Sequence, residues 1–168
     1  MAVVPQSETK EKKMKTLSII QPWTSLIAVG IKDIENRTWR TNFRGEFLLH
    51  ASAKRLSVGW NALTDEQKEA AKRLICPFGI VNDPKILPVS AIIGKATLVD
   101  CVQNHPSVWA EKGVWNWVLE DVALFDRPIL NVRGKLGFWE FDNSLLADVK
   151  PCVANSVFTS NMHSKNQK

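Results

Sequence analysis

Tyrosine is absent from this chain, cysteine and histidine are scarce, and no apolar run approaches the length of a membrane span. Each shortage narrows the field. A bilayer-crossing helix needs about 20 consecutive apolar residues, so neither a spanning segment nor a membrane partner is expected. Residues 1–15 are polar and lysine-rich and lack the apolar stretch of a signal peptide, which points to a cytoplasmic protein. Cys76, Cys101 and Cys152 are odd in number and share no C-x-x-C spacing, so reduced thiols are expected rather than a disulfide framework. His50 and His105 with Asp100 and Cys101 give at most a C-x-x-x-H spacing without a second pair, which is no zinc pattern, and no metal is expected. Neither G-x-G-x-x-G nor a Walker A stretch is present, so no cofactor is implied. Ser18 and Ser52 find no triad in the sequence, since His50 stands too close along the same strand and no third member can be named.

What is present is a soluble-type composition, 45% hydrophobic and 23% charged, in 168 residues, enough for one domain with its own core. The net charge of +5 misleads if read whole. Residues 1–15 hold four lysines and two glutamates, and residues 150–168 hold three lysines and no acid, so residues 16–149 are neutral. Nucleic-acid binding therefore needs a local patch. One lies between Lys32 and Arg55, with six basic residues against three acids.

Residues 1–14 read as a flexible arm, 15–143 as the folded domain, and 144–168 as a polar tail. Thr16 to Ile20 is a β-branched strand, and Pro22 suits the start of a helix carrying Trp23, Leu26 and Ile27, which Gly30 stops. Glu46 to Ala51 reads as a buried strand. Thr64-Asp65-Glu66-Gln67 is a capping box opening a helix to about Ile75. Val89 to Cys101 is a long strand with a bulge expected at Gly94. Trp115 to Leu119 and Val122 to Phe125 read as two further strands, and Gly134 to Phe141 as a glycine-bracketed last one. Five or six short strands with helices inserted early, without βαβ alternation, predict a small barrel of α+β type.

The chemistry-bearing stretch is Gly30-Ile31-Lys32-Asp33-Ile34-Glu35-Asn36-Arg37-Thr38-Trp39-Arg40. On an extended backbone Glu35, Arg37 and Trp39 project to one face. An acceptor, a forked donor and a ring together suit a base edge, its phosphate and its π-face. An exposed strand with cross-strand ion pairs would show the same residues. Among seven tryptophans, Trp60, Trp109, Trp115, Trp117 and Trp139 are read as core, while Trp23 and Trp39 flank this stretch.

These motifs resemble the ASCH domain family. The resemblance rests on Leu17 to Trp23, the Gly30-x-Lys32-x-x-Glu35-x-Arg37 signature, Arg44-Gly45 and His50-Ala51-Ser52. It continues through Ile93-Gly94, Val99-Asp100-Cys101, Trp117-Val118-Leu119 and Gly134 to Trp139, covering roughly residues 15–142. It implies a small PUA-like β-barrel and a cleft lined by the signature that takes RNA or a modified nucleoside. Ligand-binding residues would be Gly30, Lys32, Glu35, Arg37, Trp23, Trp39 and Arg44. Some small family members are amidohydrolases acting on N4-acetylcytidine, with a lysine at the position of Lys32 and a threonine three residues on. Here Glu35 replaces that threonine. If the chain is an enzyme, Lys32 and Glu35 are its catalytic residues, with Asp100, Glu111 or Glu120 as the downstream acid. A protein–protein adaptor is the third reading. Lys32 and Glu35 are expected within ion-pair reach, in a cleft floored by Ile93 to Val99.

Overall fold

β-branched and apolar residues at alternate positions carry the first strand beyond its expected core, to β1 (Lys13–Gln21). A computed structural model describes residues 13–57, 59–72, 75–76, 79–80 and 84–152. Most of the expected arm and tail lies outside those residues. After β1 come helix α1 (Trp23–Ala28), β2 (Ile34–Arg37) and β3 (Gly45–Arg55). Helix α2 (Asp65–Ala71) and the short pair β4 (Ile75–Cys76) and β5 (Gly79–Ile80) follow. The long strands β6 (Ala91–Val102) and β7 (Trp115–Ile129) lead to β8 (Phe138–Asp142). Helix α2 opens on the expected box, with Thr64 Oγ1 accepting from Gln67 N and Gln67 Oε1 from Thr64 N. It ends at Ala71, and Ile75 belongs to β4.

The strands form one mixed six-stranded sheet in the order β2-β7-β6-β3-β1-β8, with β4 and β5 paired separately. Only β1 and β3 run parallel, because the chain crosses through α1 and β2 between them. The α+β class holds, but the expected barrel does not. Closure requires a ladder between the outer strands, and β2 pairs only with β7 while β8 pairs only with β1. A side chain instead links β2 to β1: Arg37 Nη2 donates to the Ser18 carbonyl at 3.0 Å.

Alternation along β3 sends Phe47, Leu49 and Ala51 to one face and Leu48 to the other. The first face is covered by Leu26, Ile27 and Ala28 of α1. The second packs Ile92, Phe125, Trp139 and Phe141 under Leu146 and Val149, and Pro151 bridges to Phe125. The bulge expected at Gly94 is present, since His50 pairs with Ile92 and Leu49 with Gly94. β7 joins the two strands read separately, carrying Asp121 at φ +47° between them. Among the described residues no helix is long and apolar enough to cross a membrane.

Candidate functional site

Gly30 sets the geometry of the signature. It follows α1 at φ +82°, a conformation that costs an L-residue about 1–2 kcal/mol. The backbone then folds back, with the N–H groups of Ile31 and Lys32 both donating to the Leu26 carbonyl at 3.0 Å. Lys32 thereby turns inward. Its ammonium donates to the Ile34 carbonyl and lies 3.5 Å from Glu35 Oε2. Glu35 Oε1 accepts from Arg37 Nη2 at 3.0 Å, so one carboxylate joins two cations. Lys32 is 4% exposed and Glu35 7%. Arg37 spreads over Trp117, 5.9 Å from its ring centroid, and its buried Nε has no acceptor among the described residues.

Burial pushes the Lys32 ammonium below its ordinary 10.5, against the opposing pull of Glu35, Glu111 and Asp33. Taking an ammonium out of water costs more than a single neighbour returns, and a lowered pKa is the result. Glu35 remains able to accept, since each carboxylate oxygen has two lone pairs and spends one on its cation.

These groups line a cleft of about 640 Å³. Its walls come from Ser18 to Ile20 of β1, from Trp23, from β2, and from Thr64 and Gln67 at the start of α2. The remainder is supplied by Ser52, Ala62, Trp109, Glu111 and the segment Lys135 to Gly137. The strand Ile93 to Val99, expected as the floor, contributes nothing to it. Trp23 meets Trp109 edge-on at 6.3 Å, and the Lys32 ammonium lies 5.8 Å from the Trp23 ring centroid.

The other residues expected from the sequence are placed differently. Trp39 lies past the end of β2, packs edge-on against Trp117 at 4.6 Å, and is not a wall residue of the cleft. Arg44 pairs with Asp100 at 3.2 Å on the surface, also outside the cleft. Gly30 shapes the approach without lining it. Of the three candidate acids only Glu111 reaches the cleft; Asp100 serves Arg44, and Glu120 points to solvent from β7.

Sequence reading had Glu111 only as one of three candidate acids and Trp109 only as core, where its 3% exposure places it. It missed both the wall that Trp109 also gives the cleft and the residue that fixes their loop. Asn116, wholly buried in β7, accepts from His105 N at 3.0 Å and donates to Glu111 O at 3.0 Å and Asn36 Oδ1 at 2.9 Å. Asn36 in turn donates to Trp109 O at 2.8 Å. An amide between two tryptophans in an alternating strand was the available signal, because a buried amide must find partners.

Behind the cleft lies a second polar group. Ser18 and His50 are paired across β1 and β3, with Ser18 Oγ 3.0 Å from His50 Nδ1. His50 Nε2 is 2.8 Å from the Val132 carbonyl, and Trp139 Nε1 donates to Ser18 Oγ at 3.1 Å. A carbonyl can only accept, so Nε2 carries the hydrogen and neutral His50 accepts the serine proton at Nδ1. Burial lowers the His50 pKa from 6.5, with the Val132 bond opposing. The folded state then binds fewer protons than the unfolded one just below pH 6.5. Stability from this group is complete above that pH and falls as pH drops through the folded-state value. Urea denaturation between neutral pH and about pH 5 should show this loss, and His50→Gln should flatten it. Equal pH dependence in the two proteins would contradict a neutral buried His50.

A sheet with an inward-facing Lys–Glu–Arg signature beside a tryptophan-walled cleft defines a class. Residues 17–125 match the family model of the ASCH domain, and the chain belongs to that family. It is 35% identical over 88 residues to activating signal cointegrator 1 of Homo sapiens, and equally to that of Mus musculus. The matched stretch is 52% of this chain but 14% of each relative, so the likeness is to one part of those proteins.

Proposed function

We propose that the cleft binds RNA, or a modified nucleoside, with a base inserted against Trp23. The observation that carries this reading is the buried Lys32–Glu35 pair, joined by a half-buried Arg37, in a cleft walled by two indole rings. The desolvation cost of a buried ion pair can offset its Coulombic gain, so burying Lys32 and Glu35 beside a half-buried Arg37 gains little for the fold itself. It does preorganise an acceptor between two donors, as recognition of an amine-bearing base edge and an adjacent anion requires. Glu35 would accept from an exocyclic amine, and Lys32 and Arg37 would hold a carbonyl or phosphate oxygen.

Trp23 is the stacking platform in this reading, and Trp39 lies outside it. Base–indole stacking contributes about 1–3 kcal/mol, so Trp23→Ala should weaken binding of short single-stranded RNA by roughly 5- to 150-fold. Trp39→Ala should change it little. Fluorescence titration at two salt concentrations measures both. Salt-independent or absent binding at micromolar protein would contradict the RNA reading.

A hydrolytic reading is favoured by one observation, the lowered Lys32 pKa with Glu111 at the same cleft. A neutral lysine can take a proton from water as it adds to an amide carbonyl. On N4-acetylcytidine the products would be cytidine and acetate. Chromatography of that mixture decides it: product above a heat-killed control, lost in Lys32→Ala, supports hydrolysis, and no product ends it for this substrate.

A further inference from the structure

The cleft continues into a second cavity, of about 790 Å³, with which it shares Ser18, Ser52, Lys135 and Leu136. The two spaces differ in charge. Glu35 and Glu111 stand among the cations of the cleft. The second cavity has Lys54, Arg133 and Lys135 in its walls and no carboxylate. All three cations are exposed, and none forms an ion pair among the described residues. Arg44, Lys68, Lys72 and Lys95 each reach a carboxylate. In a domain whose residues 16–149 are neutral overall, three unpaired cations around one concavity are a local excess that attracts an anion.

The wall shared by the two spaces carries a further sign. Leu136 is 99% exposed there, in a turn that ends at Gly137 with φ +63°. Covering an apolar side chain releases about 25 cal/mol per Å², which the flat face of a base or sugar passing over it would supply. Each space alone has the roughly 300–1,000 Å³ of a small-ligand site, so the pair suits successive units of one chain.

We propose that the ligand is a single-stranded oligoribonucleotide rather than a free nucleoside. One base occupies the cleft, the backbone crosses Leu136, and the neighbouring phosphates lie against Lys54, Arg133 and Lys135. The proposal rests on the cleft reading above. Contacts of this kind supply affinity and position, not base preference.

The test compares the four ribonucleosides with short single-stranded oligomers of the same bases, on wild type and on Lys54→Ala/Arg133→Ala. Both substituted residues line only the second cavity and are exposed, so the variant should fold. An oligomer should bind wild type at least tenfold more tightly than its nucleoside, a step of about 1.4 kcal/mol. In the variant the slope of log K against log salt should shrink by about 0.7 for each lost phosphate contact, with nucleoside binding unchanged. Equal binding of oligomer and nucleoside, an unchanged salt slope, or equal weakening of both probes overturns the strand proposal and leaves the cleft reading standing. Failure of every probe to bind overturns both.

Discussion

Glu35→Gln should destabilise the protein by about 3–5 kcal/mol, the usual cost of removing one partner from a buried ion pair. The substitution leaves Lys32 and Arg37 facing a neutral amide at 4% exposure for the lysine. Arg37 cannot shed its proton, but Lys32 can. Its folded-state pKa, already below 10.5, falls further without the carboxylate. The unfolded chain then holds more protons than the folded one up to 10.5, so the variant should regain stability as pH rises toward that value. Urea denaturation at neutral and alkaline pH measures both effects. The double variant Lys32→Met/Glu35→Gln should lose less than the sum of its single changes, because the more deeply buried of the two stranded charges is gone. A loss under about 1 kcal/mol would mean that water reaches the group freely.

Gly94→Ala should be nearly as damaging, for a reason unrelated to charge. A Cβ built there lies 2.3 Å from the Ala123 carbonyl oxygen and 3.4 Å from the Ala28 Cβ. The first obstacle is backbone of the neighbouring strand, so β6 and β7 must separate at the bulge. Overpacking of this kind costs about 1–3 kcal/mol and occasionally more. The expected loss is at the top of that range, read as a lower urea midpoint. Gly113→Ala is the control. Nothing lies within 4 Å of its Cβ, and its φ of +79° exacts only the left-handed penalty of about 1–2 kcal/mol. Near-equal losses at the two glycines would place the obstacle at Gly94 in doubt.

Local signals in the sequence were reliable where the causes are local. The capping box at Thr64, the stop at Gly30 and the bulge at Gly94 each depend on a few neighbouring residues. The inward turn of Lys32 toward Glu35 is of the same kind, following from a left-handed glycine. What failed was set by distant parts of the chain. Alternation placed Trp39 with Glu35 and Arg37, but β2 stops at Arg37, and Trp39 turns to Trp117, 78 positions on. Ser18 and His50 meet only because β1 and β3 pair in parallel, so the histidine beside the serine was invisible. Trp115 to Leu119 and Val122 to Phe125 read as two strands; a single left-handed residue, Asp121, lets β7 run through both. Barrel closure depends on whether outer strands pair, and no residue pattern in β2 or β8 records that. Glu111 emerged from three candidate acids only once Asn116 had fixed the loop before β7.

The seven indoles of this tyrosine-free chain allow a direct test of where the ligand goes. Their Nε1–H resonances can be followed by nuclear magnetic resonance as short single-stranded RNA is added. The Trp23 and Trp109 signals should move in a saturable, salt-dependent way, because both rings wall the cleft. Those of Trp39 and Trp117, which do not wall the cleft although Arg37 lies over Trp117, should move far less. Movement confined to Trp39 and Trp117, or no saturable movement at Trp23 and Trp109, would contradict the assignment of the Lys32–Glu35–Arg37 cleft as the binding site.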